Sequence, residues 1–350
     1  MSGEVARKRR KGISIGLDRF AGLYLLGLFI VVFGIWKPDQ FLTSGTLHSV
    51  ASAQAITGML AIAIIIPLAA GAYDLSVGAT INLSSILAIW LQTAQGVSMG
   101  LAIAIAIAAA TLIGVVNAFV VVRLGVNSFI ATLGMGSIVA AVQTIIVGPS
   151  QPVSPVNQTW HDITTTTIFG FQAVVFYLLI LGLVVWWFLA RTPAGRYVYA
   201  TGSNSEAAHL AGVAVGRWTF VSLVLSSLIA GVAGVLYGSL YGPSLTYGSS
   251  LLLPAFAAAF LGSTLVVGGR FNVWGTLLAI YALATGVKGL QLVTGAQWLA
   301  QMFNGVALIT AVALTVWNHK RTVATRQEES EIEDVARADD RVDRQGSEVT

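Results

Sequence analysis

Long apolar runs fill most of the chain, and the polar residues fall between the runs instead of alternating within them. A helix that crosses a bilayer needs about 20 mostly apolar residues, because the hydrocarbon core is about 30 Å thick and each helical residue rises about 1.5 Å. By that measure the pattern predicts ten spans, over 20–36, 47–70, 76–94, 98–122, 127–148, 171–190, 218–240, 251–268, 272–292 and 296–317. Within the fourth, Ile103-Ala104-Ile105-Ala106-Ile107 alternates like a strand, but the length of the run and its alanine content favour helix. Two segments, 71–78 and 243–254, read either as re-entrant or broken helix or as plain turns.

Composition turns this pattern into a fold class. Of 350 residues, 56% are hydrophobic and 10% charged, with no cysteine. Of the 34 Asp, Glu, Lys and Arg side chains, 23 lie in residues 1–19 and 318–350, leaving 11 for the 298 residues between. A water-soluble fold cannot cover its surface with so few charges, so the chain reads as an all-α integral membrane protein. The domains expected are a basic N-terminal tail over 1–19, a membrane domain over 20–317 and a charged, disordered tail over 318–350. With no cysteine and four scattered histidines (His48, His161, His209, His319), no metal-ligand spacing arises.

Charge then predicts the orientation. With the N-terminus inside, the inner side carries Arg7, Lys8, Arg9, Arg10, Lys11, Arg19, Arg123, Arg191, Arg196, Arg217, Arg270, Lys320, Arg321 and Arg326. The outer side carries only Lys37 and Lys288, so both termini are expected in the cytoplasm. The basic residues mark the ends of spans, not a nucleic-acid surface. No G-x-x-x-x-G-K-[ST], H-E-x-x-H, G-x-S-x-G or paired-carboxylate pattern occurs, which argues against catalysis.

Three stretches interrupt the apolar background. In Gly71-Ala72-Tyr73-Asp74-Leu75-Ser76-Val77-Gly78, followed by Asn82, an acid joins two apolar runs. Asp74 reads either as an N-cap for the amides of residues 76 and 77, or as part of a broken helix whose polar residues Asp74, Ser76 and Asn82 line a solute path. Asn127 and Ser128, after Gly125, are further path candidates that also read as helix caps. In the 191–217 loop, Ser203 with Glu206 forms a capping-box pattern and Gly212 follows as a terminator, predicting a helix over 203–211. Its small side chains suit a knob docked into another protein better than a helix lying on lipid. The third stretch runs from Leu253-Pro254 to Gly268-Gly269-Arg270 and is broken by proline and glycine.

In this order and spacing, the three stretches resemble the permease subunits of the ribose/xylose/galactose group of ATP-binding-cassette (ABC) importers. A D-L-S-V-G core matches Asp74 through Gly78. A cytoplasmic motif matches Gly195, Arg196, Ala200, Gly202, Asn204, Ala207, Ala208 and Gly212. A glycine-punctuated stretch is similar to Ala258 through Gly269. The likeness spans about residues 40–315, with Ser263 and Lys288 departing from the pattern.

That resemblance implies a type II importer fold of about ten helices per subunit, with a second permease subunit (identical or paralogous), a cytoplasmic ATPase dimer and an extracytoplasmic solute-binding protein. It assigns ATPase docking to Gly202, Asn204, Glu206, Ala207, Ala208 and Gly212 on a coupling helix. ATP and Mg²⁺ would be bound by the ATPase, with no cofactor on this chain. The location implied is a prokaryotic cytoplasmic membrane and the cargo a monosaccharide or polyol. Autoinducer-2, nucleosides and branched-chain amino acids are the alternatives, and an ion-coupled secondary transporter is the rival of another class.

Overall fold

The computed structural model describes residues 17–148, 157–266, 269–296 and 298–313. Both predicted tails lie outside these residues except for 17–19, as do Gly268 and residues 314–317 of the last predicted span.

Fifteen helices can be traced among the described residues. They are α1 (Leu17–Trp36), α2 (Pro38–Phe41), α3 (Ser44–Ala53), α4 (Ala55–Ala69), α5 (Val77–Thr93), α6 (Met99–Val122), α7 (Ser128–Val147), α8 (Gln158–Thr165), α9 (Ala173–Arg191), α10 (Pro193–Ser203), α11 (Ser205–Leu210), α12 (Val215–Tyr241), α13 (Tyr247–Thr264), α14 (Val273–Thr294) and α15 (Trp298–Ala313). A two-residue antiparallel hairpin, β1 (Thr167–Ile168) with β2 (Phe171–Gln172), leads into α9 and takes the first residues of the predicted span 171–190.

Among the described residues, six helical stretches are long and apolar enough to cross a membrane: 44–69 (α3 running into α4), α6, α7, α9, α12 and α14. The other four predicted spans fall on α1, α5, α13 and α15, which are shorter or interrupted. The alternating run at 103–107 is helical, inside α6.

The interior is organised around α4 and α12. Every residue of α4 is buried, as expected of a helix that is apolar on all sides. Lipid offers helices no hydrophobic drive to associate, so small residues set their approach. On α6 the buried positions Ala102, Ala106, Ala110, Gly114 and Ala118 recur every four residues. They meet α12 closely: a Cβ added at Gly231 would lie 2.5 Å from the Ala110 Cβ, and one at Gly114 2.7 Å from the Ser227 Cβ. These pairings run α6 antiparallel to α12. Gly234 against Ile81 and Gly238 against Ser85 run α5 parallel to it.

Candidate functional site

Both segments left open by the sequence are breaks in helix, and each is stitched to a neighbouring helix by polar side chains. α4 ends at Gly71, whose φ of +78° suits glycine; the Gly71 amide bonds to the Leu68 carbonyl and the Ala72 amide to the Pro67 carbonyl, a Schellman closure. The chain then runs unwound to Ser76 before α5 begins. Here the backbone donors cannot be satisfied by a helix, and α7 takes over. The Tyr73 amide donates to Ser128 Oγ (3.0 Å) and the Leu75 amide to Thr132 Oγ1 (3.0 Å). Asn127 caps α7 by accepting from the Phe129 amide at 2.9 Å. Of the two residues read as cap or path, Asn127 is thus a cap, and Ser128 reaches the break.

Asp74 is wholly buried. Its Oδ1 accepts from the Ser76 amide (3.1 Å) and the Ser76 hydroxyl (2.6 Å), and Asn117 Nδ2 of α6 donates to that hydroxyl at 2.8 Å. The expected bond from the amide of residue 77 is not formed; the carboxylate instead begins a chain of bonds across helices. Ser226 and Ser227 of α12 stand beside it without a well-formed hydrogen bond. Asp74 Oδ2, Asn117 Oδ1 and both serine hydroxyls are buried and unpaired among the described residues. So concentrated a set of buried polar groups is costly in an apolar bundle unless water or another polar group meets it.

The second break, 242–246, is held by Asn82 of α5. Asn82 Nδ2 donates to the Leu245 carbonyl at 2.8 Å, and Oδ1 accepts from the Gly248 amide at 2.7 Å. The starts of α5 and α13 meet there, because a Cβ on Gly248 would lie 2.1 Å from the Gly78 carbonyl oxygen and 2.9 Å from Asn82 Oδ1. Neither the backbone carbonyl nor the bonded amide can yield cheaply. Gly248→Ala is expected to cost about 1–3 kcal/mol by overpacking, read as a lowered Tm of the detergent-extracted protein.

The 191–217 loop forms two short helices. Asn204, not Ser203, is the cap of α11, accepting from the Ala207 amide at 2.9 Å; Ser203 ends α10. α11 therefore covers 205–210 instead of 203–211. Gly212 (φ +82°) closes it, with its amide bonded to His209 and the Val213 amide to Ala208. Glu206 and Ala207 are exposed and Ala208 is buried against the protein. Leu210, which the sequence reading did not single out, is 83% exposed at the tip.

Gly202 packs on the end of α4. A Cβ there would lie 2.2 Å from the Ala69 carbonyl oxygen and 2.8 Å from the Gly71 nitrogen. The short loop helices thus lean directly on the lip of the Asp74 break. Beside them is a cavity of about 820 Å³ lined in part by Leu68, Arg196, Tyr199, Gly202 and Arg270. The Tyr199 hydroxyl donates to the Phe271 carbonyl at 2.5 Å, with the Arg270 guanidinium 5.6 Å over its ring. Burial raises the Tyr199 phenol above its ordinary range against the opposing pull of Arg270, so the donor stays protonated.

Sequence reasoning missed Asn117, Thr132 and Gln143, whose Nε2 donates to the Ala79 carbonyl at 2.6 Å. Each is a single polar residue inside an apolar run, which is the signal that could have found them.

Comparison with known proteins follows the same boundaries. The model of the family described as branched-chain amino acid transport system / permease component matches residues 46–312. The fructose import permease protein FrcC of Rhizobium meliloti is 31% identical over 309 residues, covering 85% of each chain. The autoinducer 2 import system permease protein LsrD of Photorhabdus temperata is 27% identical, covering 84% of this chain and 89% of its own. The D-allose transport system permease protein AlsC of Escherichia coli (strain K12) is 25% identical, covering 89% and 95%. No solved structure matches the chain significantly. With a family model matching residues 46–312 and a relative of 31% identity along most of its length, the chain belongs to the family of the branched-chain amino acid transport system permease component.

Proposed function

We propose that the chain is the membrane-spanning permease subunit of a binding-protein-dependent ABC importer that carries a sugar or related polyol. The observation that carries this reading is the likeness, over 85% and 89% of this chain, to permeases named for fructose and D-allose import, with a family match over residues 46–312 that takes in both breaks and the α10–α11 loop. A zwitterionic amino acid is the second reading, favoured by the description of the family.

In this reading the subunit pairs with a second permease chain, and about ten helices of each enclose the path. The end of the bundle carrying α10 and α11 faces the cytoplasm, with both termini on that side of a prokaryotic inner membrane. An ATPase dimer, which binds the ATP and Mg²⁺, docks on α11, and a solute-binding protein delivers cargo at the opposite end. Within α11 the roles divide by position. Glu206, Ala207 and Leu210 form the contact face; Asn204 and Gly212 hold the helix by its two caps; Ala208 and Gly202 fix it to the bundle. Movement of α11 then reaches Asp74, Ser76 and Ser128 through the contact of Gly202 with Gly71.

The test is co-purification from the native host. The wild-type chain is expected to bring down an ATPase subunit. Glu206→Lys and Leu210→Asp should lose it while inserting normally, with the apolar tip contributing about 1.5–3 kcal/mol of contact. Full ATPase recovery with both variants would place docking elsewhere.

A further inference from the structure

A second cavity, of about 480 Å³, opens at the end of the bundle remote from α11, between α4, α12, α13, α14 and α15. Aliphatic side chains of α13 and α14 make up much of its wall, and two other kinds of side chain stand among them. Tyr237, Tyr241 and Tyr247 form an aromatic wall: the rings of Tyr237 and Tyr247 stack with centroids 4.0 Å apart at 14°, and Tyr241 tilts against both, at 5.5 and 6.2 Å. Gln54 at the α3–α4 junction, Gln291 of α14 and Asn304 of α15 supply three side-chain amides, and none of the three amides has a hydrogen-bond partner among the described residues. Among the described residues, none that lines the cavity carries a charge.

The geometry points to this cavity as a solute site of the permease, selective for a neutral polyhydroxylated molecule. The exposed ring of Tyr241, braced by the Tyr237–Tyr247 stack, offers an apolar platform for the C–H face of such a solute. Amides that both donate and accept suit hydroxyl groups, which do the same. A zwitterionic amino acid would bring a carboxylate and an ammonium into a cavity with no countercharge, which is unfavourable. The volume lies within the range of small-molecule sites. The floor lies on Thr57, Leu251 and Pro254, so a solute held here rests directly on α13, the helix whose start Asn82 fixes. This site deepens the permease reading proposed above and rests on it.

Because the natural chain has no cysteine, Q291C and N304C each introduce a single thiol. In right-side-out vesicles containing the assembled transporter, a small hydrophilic thiol reagent should label both. A panel of free hexoses and pentoses at saturating concentration should include members that slow labelling severalfold, and L-leucine should not. Q291L should weaken protection of N304C by about tenfold in sugar concentration, the loss of one hydrogen bond's share of binding. Labelling that no sugar slows, in vesicles with intact ATP-driven uptake, overturns the site and leaves the permease reading standing. Protection by L-leucine alone overturns the solute class. Sugar protection without any ATP-driven uptake shows that the cavity binds sugar but removes the permease reading, and with it the role of the cavity in transport.

Discussion

Asp74→Ala is expected to abolish uptake and to lower the amount of folded protein in the membrane, whereas Asp74→Asn restores most of both. Alanine removes the acceptor for the Ser76 amide and hydroxyl and leaves the Asn117 chain without its end. A hydrogen bond is worth about 0.5–1.5 kcal/mol and a buried group left without its partner costs about 1–3 kcal/mol, so losing two bonds and stranding their donors amounts to a large part of the 5–15 kcal/mol that holds a typical domain. Asparagine keeps an acceptor oxygen at the same place and adds a donor facing the unpaired hydroxyls of Ser226 and Ser227. Uptake assays paired with the Tm of extracted protein separate the outcomes. If Asp74→Asn folds like wild type but transports no better than Asp74→Ala, the negative charge itself drives transport and the hydrogen-bonding account fails.

Gly202→Val is expected to reduce uptake by about fivefold to a hundredfold while the ATPase still co-purifies. The added carbon would meet the Ala69 carbonyl oxygen at 2.2 Å and the Gly71 nitrogen at 2.8 Å, both backbone atoms at the end of α4. Overpacking of this kind typically costs about 1–3 kcal/mol, which is up to about a hundredfold in an equilibrium between two states. It is relieved by moving α10 away from the break, which would leave the exposed contact face of α11 intact. Solute-stimulated ATP hydrolysis, measured on the reconstituted complex, should fall with uptake. Wild-type stimulation in this variant would mean that the contact of Gly202 with Gly71 does not transmit movement.

These effects centre on features that differ in how far they could be read from the chain. Six of the ten predicted spans were legible because bilayer thickness sets the length of an apolar run, and α6 or α12 announces itself without any partner. Gly212 and the cap at Asn127 were legible because capping is local. The cap of α11 was placed one residue early: Ser203 and Asn204 are both good caps, and choosing between them required knowing that α10 runs through Ser203. The breaks were visible as polar interruptions, but their partners were not. Thr132 lies 57 residues from Leu75 and Asn82 lies 166 from Gly248, and no periodicity connects such pairs. The tyrosine wall was equally hidden, because Tyr237 and Tyr247 stack only after the 242–246 segment folds back.

The long reach of Asn82 also sets a timetable for biosynthesis. Its two backbone partners, and Gly231, which accepts from Ser84, are added to the chain about 150 residues after α5. At about 5–20 residues per second, α5 waits roughly 10–30 seconds for them. Throughout that interval the nascent chain holds Asn82 and Ser84 near the bilayer without their final partners. Quality-control proteases therefore meet their best substrate before α12 and α13 emerge, and a chain stopped short of Gly248 should be degraded faster than one stopped just after it.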